Sequence, residues 1–307
     1  MDVIEINNLC KCYGDVVAVD DVSLTVKEGE IFGLLGPNGA GKTTTIECAI
    51  GLRSFDQGFV RILGLDPLNE RYNLYNRIGV QLQQTSFQDK IKVGEICRLF
   101  ESLYEHPLLS QPLLEGFELA GKWNSYVQNL SGGQRQRLSI ILALIPNPEI
   151  VFLDELTTGL DPKARRSMWD YVKELKKEGK TVFMTTHYME EAEYLCDRVG
   201  IIHRGKIAAY GEVPHVIATC GIYYEIGFRC QHNVSELLLN SVSQLVELKV
   251  EGTAYTAYGK DQSILGKLVL ALETNGIEYA GLNIKRPNLE DAYIKITGSE
   301  FLEEVGS

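Results

Sequence analysis

No C-x-x-C pair occurs among the seven cysteines, and only Cys10 and Cys12 stand close together. Two sulfurs with no nearby His or Cys do not complete a metal tetrahedron, so these thiols read as free and mostly buried. Apolar runs such as Leu138-Ser139-Ile140-Ile141-Leu142-Ala143-Leu144-Ile145 fall well short of the roughly 18–20 residues that span a bilayer. The start, Met1-Asp2-Val3-Ile4-Glu5, has neither the basic region nor the apolar core of a signal peptide, which predicts a chain that stays in the cytosol. There is no low-complexity tract and no long Pro- or Ser-rich linker. Positive charge is scarce: 30 Lys and Arg stand against 41 Asp and Glu, a net charge of −11. That balance argues against a generally basic surface that coats nucleic acid. A length of 307 residues exceeds the size at which single cores usually stop growing, so two domains are expected.

What the chain does have is Gly36-Pro37-Asn38-Gly39-Ala40-Gly41-Lys42-Thr43-Thr44, which fits G-x-x-x-x-G-K-[ST]. It follows the apolar run Ile31-Phe32-Gly33-Leu34-Leu35 and precedes a helical stretch, Thr44 to Ile50. Strand, glycine loop and helix is the context in which the pattern has physical meaning. The glycines let backbone N–H groups wrap inward around phosphate oxygens, and the helix offers its partially positive N-terminus. In such a loop Lys42 reaches the β- and γ-phosphates and Thr43 gives its hydroxyl to Mg²⁺.

Ahead of the loop, Val3–Ile6, Val16–Val19 and Val22–Val26 alternate as antiparallel strands. Tyr13, in the turn Lys11-Cys12-Tyr13-Gly14, has the ring for stacking on a purine, although a packed surface aromatic fits it as well. After the loop helix, Gly58–Ile62 reads as a strand and Arg77–Leu82 as another that exits into glutamines. The Gln83 amide offers donor and acceptor, which suits a bridge between Mg²⁺ and water, and equally a solvated loop. From Val93 to about Lys122 the pattern is helical, with Ile96, Leu99, Phe100 and Leu103 on one face.

At Asn129-Leu130-Ser131-Gly132-Gly133-Gln134, Ser131 reads as an N-cap. A plain capped helix accounts for the serine but leaves the double glycine and Gln134 without a role. Ile150-Val151-Phe152-Leu153 reads as a strand buried on both faces that delivers Asp154 and Glu155 at its C-terminal end. Two carboxylates there are costly unless they serve a cation or a reaction. Downstream of a phosphate loop, Asp154 fits a Mg²⁺ ligand and Glu155 the group that deprotonates an attacking water. Gly159-Leu160-Asp161-Pro162 turns into a helix, and the strand Thr181–Thr185 ends at Thr186-His187. A lone His is usually structural, but this one leaves a parallel strand on the side where ligands collect.

Taken together, these residues resemble the ATPase subunit of an ABC transporter, over about residues 2 to 215. The resemblance identifies Tyr13 as the A-loop aromatic and Gly36 to Thr44 as Walker A. Gln83 takes the Q-loop place, Leu130 to Gln134 the signature, Asp154 and Glu155 Walker B and the catalytic glutamate, Asp161 the D-loop and His187 the H-loop. Leu156 departs from the proline the family commonly has after the glutamate. Glutamines at 81, 83 and 84 blur the Q-loop register, and Gln83 is chosen by its spacing from Ile78-Gly79.

The resemblance implies a P-loop NTPase with a RecA-like core, an antiparallel β subdomain and a helical subdomain, binding ATP and Mg²⁺. Catalysis falls to Glu155, His187 and Gln83, with Thr43, Gln83 and Asp154 at the metal. The nucleotide meets Tyr13, Gly36–Thr44 and, from a second subunit, Ser131, Gly132, Gly133, Gln134 and Asp161. A head-to-tail partner, identical or paralogous, completes each site, and a separate membrane permease receives the motion at the cytoplasmic face.

Residues 216–307 read as a second domain with the order βαββαβ, which suggests a small ferredoxin-like α+β unit for packing or dimer contact. Its closing segment, Pro287 to Tyr293, resembles the end of exporter ATPases of the drug and antibiotic resistance type. The expected function is therefore ATP-driven export. The rival is a soluble ABC ATPase acting on nucleic acid or ribosomes, which usually has a long coiled coil or a second ATPase domain in the chain. Neither occurs here, and no nucleic-acid partner is expected. The cargo is not legible, because in this design it meets the permease.

Overall fold

The computed structural model describes residues 1–83, 87–88, 90–221 and 223–298. Contacts divide the described residues into Met1–Val213 and a second unit from Pro214 to Gly298.

In the first unit β1 (Asp2–Tyr13), β2 (Val16–Lys27), β3 (Ile31–Leu35) and α1 (Lys42–Ala49) are followed by β4 (Gln57–Ile62), α2 (Arg71–Tyr75) and β5 (Ile78–Gln81). Next come α3 (Val93–Glu101), α4 (Ser110–Gly116), α5 (Gly132–Leu144), β6 (Ile150–Asp154), α6 (Pro162–Lys177), β7 (Thr181–Thr186), α7 (Met189–Leu195), β8 (Arg198–His203) and β9 (Lys206–Glu212). Strands β2-β1-β4 form an antiparallel sheet, and β5-β6-β7-β3-β8-β9 form a second sheet, parallel except for β9. The stretches at 16–19 and 22–26 are one strand, β2, whose pairing with β1 shifts register at several points. Bulges of this kind let a long ribbon curl without breaking.

Helix α1 touches β2 and β4 on one side and β6 on the other. Its Ile46 and Ala49, with Ile50 at its C-terminal cap, join Ile4, Ile6 and Val26 of the antiparallel sheet and Phe32, Phe152 and Phe183 of the parallel sheet in one core. The three phenylalanines lie side by side, with centroids 5.4 and 5.6 Å apart from Phe183. Each fully buried apolar side chain of this kind contributes about 1.5–3 kcal/mol.

The helix expected from Val93 to Lys122 is three pieces: α3, α4 and a short 3-10 turn at Ala120–Lys122. Pro107 stands between the first two, and a ring there has no N–H to continue a helix. Ile96 is buried, but Leu99 and Leu103 are exposed.

For the site, strand order matters most. Neighbouring strands are about 4.8 Å apart, so the ends of β5, β6, β7 and β3 form one short row. Parallel register aligns Leu35 with Thr186 and Asp154 with Thr185.

Helix α8 (Val213–Thr219) begins on the last residue of the first unit and leads into the second. The second unit continues through β10 (Tyr224–Arg229), α9 (Ser235–Ser241), β11 (Leu245–Glu251), β12 (Ala254–Gly259), α10 (Ser263–Thr274), β13 (Ala280–Lys285) and α11 (Leu289–Thr297). Its antiparallel sheet runs β11-β12-β10-β13. Alternate residues, Ile226 and Phe228 on β10 and Tyr255 and Ala257 on β12, pack with Leu238 of α9 and Leu268 and Leu272 of α10.

Candidate functional site

Where β3 ends, the chain turns so tightly that side chains are excluded. A Cβ on Gly36 would stand 2.4 Å from the Ile202 carbonyl oxygen. Gly41, at φ +108°, would meet the Ala18 carbonyl oxygen at 2.5 Å. Only glycine fits either place. The loop lines a cavity of about 240 Å³ with Ala18, Asn38, Gly39, Gly41, Lys42, Thr43 and Thr44, and Gln83 and Glu155 close it from the neighbouring strand ends.

Lys42 is 4% exposed. Its Nζ donates to the carbonyl oxygens of Gly36 at 2.8 Å and Pro37 at 3.1 Å, and lies 3.2 Å from Glu155 Oε1. Burial lowers its pKa, opposed by the Glu155 and Asp154 carboxylates. The ammonium therefore sits where a phosphate would be met, and a carboxylate currently answers it.

Glu155 gathers most of the remaining contacts. Its Oε2 accepts from Gln83 Nε2 at 2.8 Å and from the Thr158 hydroxyl at 3.4 Å, and its Oε1 is 3.5 Å from His187 Nδ1. Burial pushes its pKa up, but His187 and Lys42 outweigh that and hold it down to about 2. The backbone of Glu155 has φ +50°, a left-handed conformation that non-glycine residues adopt only when surroundings hold them there. Its N–H donates to the Thr185 carbonyl oxygen at 3.2 Å and to Thr185 Oγ1 at 3.1 Å. Leu156 follows, fully buried.

Asp154 is fully buried, and burial raises its pKa. Its Oδ1 accepts from the hydroxyls of Thr185 and, at 3.4 Å, Thr43. Lys42, Thr43, Gln83, Asp154, Glu155 and His187, singled out by motif, thus stand within one connected set of contacts. Gln81 differs from Gln83: its Nε2 donates to the Leu82 and Asp154 carbonyl oxygens, away from Glu155. Gln84 lies outside the described residues.

Comparison with known proteins gives this geometry a family. The ABC transporter family profile matches residues 19–158. Over 305 residues the chain is 37% identical to the Nod factor export ATP-binding protein I of Sinorhizobium fredii (strain NBRC 101917 / NGR234), spanning 97% of this chain and 86% of that protein. It is 34% identical over 301 residues to the daunorubicin resistance ATP-binding protein DrrA3 of Streptomyces coeruleorubidus, spanning 94% of each. Among solved structures, an ATP-binding subunit of an ABC transporter matches with TM-score 0.66 and 28% identity, over 71% of this chain and 93% of that one. A dimeric bacterial ABC transporter cassette matches with TM-score 0.61 and 28% identity, over 68% of this chain and 98% of that one.

The chain belongs to the ABC transporter ATP-binding family.

As an ABC ATPase it binds and hydrolyses ATP. Members of the family use a divalent cation, and the residues present suit one: Asp154 Oδ2 is buried with no hydrogen-bond partner, on the carboxylate whose Oδ1 accepts from the Thr43 hydroxyl at 3.4 Å. A carboxylate oxygen shut away from water without a donor is costly unless a cation meets it.

Tyr13 is 42% exposed and does not line the cavity; Lys11 Nζ and the Arg53 guanidinium lie 5.5 and 5.6 Å from its ring centroid. The signature of this ABC ATPase also stands outside the cavity lining. Ser131 Oγ accepts from Gln134 N at 3.3 Å while Gln134 Oε1 accepts from Ser131 N at 3.1 Å, a capping box at the start of α5. Gln134 therefore does have a local role in a capped helix, contrary to the reading from sequence. Gly132 has open space where a Cβ would project, and Gly133 faces Leu160 and Ala164 at ordinary contact distance. Asp161 caps α6, accepting from Lys163 N at 3.0 Å and Ala164 N at 2.9 Å.

Motif reading passed over Ala18, Thr185 and Glu191. Glu191 is fully buried, accepts from Trp169 Nε1 at 2.9 Å, and has its pKa raised by burial. The sequence offered only the pair Glu190-Glu191 shortly after Thr186-His187, which reads as ordinary acidic residues in a first helical turn. Cys10 and Cys12 are free, and among the described residues no group of three or more His, Cys, Asp or Glu is placed to hold a metal. No described helix is long and apolar enough to cross a membrane.

Proposed function

We propose that this ABC ATPase powers export of a substrate through a separately encoded transmembrane permease, working as a head-to-tail dimer with itself or a paralogue at the cytoplasmic face of the membrane. The observation that carries the reading is the convergence of Lys42, Gln83 and His187 on Glu155, which lines the phosphate-loop cavity. The export relatives, whose similarity runs through both units of the chain, support the direction of transport.

In this reading the backbone N–H groups of Gly36 to Thr44 cradle the phosphates and Tyr13 stacks on the adenine ring. Thr43, Gln83 and Asp154 would hold Mg²⁺, which would supply charge neutralisation at the phosphoryl oxygens. Lys42 turns from Glu155 to the β- and γ-phosphates. That exchange activates Glu155: a carboxylate held down to about 2 is a poor base, and losing the Lys42 ammonium raises its proton affinity. Glu155 then takes a proton from the attacking water as the water oxygen bonds to the γ-phosphorus and the bond to the ADP oxygen breaks. His187 keeps the Glu155 carboxylate oriented. Ser131, Gly132, Gly133, Gln134 and Asp161 meet the nucleotide held by the partner subunit, and Gln83 with the helical segment passes closure to the permease. Residues 216–307 form a ferredoxin-like accessory domain that packs or contacts the dimer partner; 299–307 lie outside the described residues.

Affinity purification of the tagged chain from detergent-solubilised membranes tests the proposal. The expected result is a detergent-stable complex whose ATP hydrolysis depends on Glu155. Co-purification with ribosomes or DNA in place of a membrane protein would overturn the export reading, and phosphate release unaffected by Glu155→Gln would overturn the assignment of the base.

A further inference from the structure

We propose that Thr185 is a positioning residue: its hydroxyl, lodged between the Asp154 carboxylate and the Glu155 N–H, selects which Asp154 oxygen faces the metal. The inference rests on the reading of Asp154 as a metal ligand and adds to it a residue that no motif marks.

Parallel pairing of β6 with β7 sets Asp154 directly beside Thr185, and Thr185 is fully buried. A hydroxyl has one proton to give. Here its direction is fixed from both sides, because Glu155 N–H can only donate to Oγ1, at 3.1 Å, and Asp154 Oδ1 can only accept from it as a carboxylate. Oδ1 also receives the Thr43 hydroxyl at 3.4 Å. With Oδ1 engaged twice, Oδ2 is left buried and without a donor, turned to one orientation.

Valine has nearly the shape of threonine but no hydroxyl. In Thr185→Val the Glu155 N–H keeps the Thr185 carbonyl oxygen at 3.2 Å, whereas Asp154 loses its firm donor and is free to rotate. The metal should therefore feel the change more than the phosphate loop does. Outer partners of metal-binding carboxylates typically change metal affinity by about 10–100-fold.

The test is equilibrium binding of a fluorescent ATP analogue to the full chain, in EDTA and across a Mg²⁺ titration, for wild type, Thr185→Val and Thr185→Ser. Expected are unchanged binding in EDTA, a Mg²⁺ midpoint raised about 10–100-fold in Thr185→Val, and a midpoint restored in Thr185→Ser. Equal midpoints in wild type and Thr185→Val would overturn the inference while leaving Asp154 as the ligand. Binding that falls equally with and without Mg²⁺ would show a merely structural role and overturn it too. No Mg²⁺ dependence in the wild type would remove the metal reading itself. Should Thr185→Val fail to fold, Thr185→Ala against Thr185→Ser gives the same contrast.

Discussion

Between Met1 and Val213 the interior holds Lys42, Gln81, Asp154, Glu155, Thr185 and Glu191, each less than a tenth exposed. From Pro214 on, the buried side chains among the described residues are apolar or aromatic, and the buried Tyr255 hydroxyl donates to the His232 carbonyl oxygen. Both units have a sheet with helices against it, so the contrast does not come from architecture class alone. A parallel sheet ends all its strands' C-termini along one edge, and here four adjacent ends each carry a polar group to one place. An antiparallel sheet sends successive ends to opposite edges and gathers nothing. The first unit keeps atoms such as Asp154 Oδ2 unsatisfied, a state that native interiors avoid unless a ligand is due. Among the described residues of the second unit no buried side-chain N or O atom is left without a partner, in keeping with the packing role proposed for it.

The largest effect expected from this contrast is at Glu155. Glu155→Gln should lower phosphate release by about 10²–10⁴-fold, the range of a lost general base, while ATP still binds and the ATP-bound dimer accumulates on size exclusion. Hydrolysis within a factor of two of wild type would break the comparison at its strongest point. Ser131→Arg comes next. It places a long cation at an exposed helix start, and the expected outcome is normal ATP binding by the monomer with no ATP-dependent dimer. A normal dimer peak would mean that the signature does not serve a neighbour's nucleotide.

Leu268→Ala probes the other unit. Leu268 is fully buried in its core, and such truncations cost about 2–5 kcal/mol. Thermal unfolding should lose stability in the transition that reports the second unit, with ATP binding by the first unit kept. Equal loss of both would show that the two units do not store function and packing separately.

How much of this was readable in advance depended on distance along the chain. Gly36 to Thr44 carry their own context within about a dozen residues, and Asp154 and Glu155 announce themselves at the end of a run buried on both faces. Thr185 does not, because its role exists only once β6 and β7 pair, and a threonine in a strand is otherwise unremarked. The break between α3 and α4 was written in Pro107, yet the apolar spacing of Ile96, Leu99, Phe100 and Leu103 drew the eye past it, and two of those four side chains turned out exposed. Gln134 was misjudged for a local reason: S-x-x-Q is itself a capping box, so its place needed no distant partner. Spacing from Ile78-Gly79 points to Gln83, but what distinguishes it from Gln81 is contact: Gln81 ends β5 and donates to the Asp154 carbonyl oxygen, whereas Gln83, just beyond the strand, donates to Glu155 Oε2.

The smallest effect separates the two units most cleanly, because it matches like with like. Asp161 caps α6 in the first unit, and Asn288 caps α11 in the second, its Oδ1 accepting from Asp291 N at 2.7 Å. Replacing either by alanine removes one cap and should cost about 1 kcal/mol, within the usual 0.5–2. If Asp161 also meets a neighbour's nucleotide, Asp161→Ala should lower turnover per folded molecule while Asn288→Ala leaves it unchanged. Asp161→Asn, which retains a capping oxygen, should restore stability and thereby separate the two roles of that side chain. Urea unfolding read beside steady-state phosphate release measures both quantities on the same preparations. Turnover falling equally in Asp161→Ala and Asn288→Ala would mean that cap loss alone perturbs the enzyme, and the distinction between a unit that holds the chemistry and one that packs would have to be abandoned.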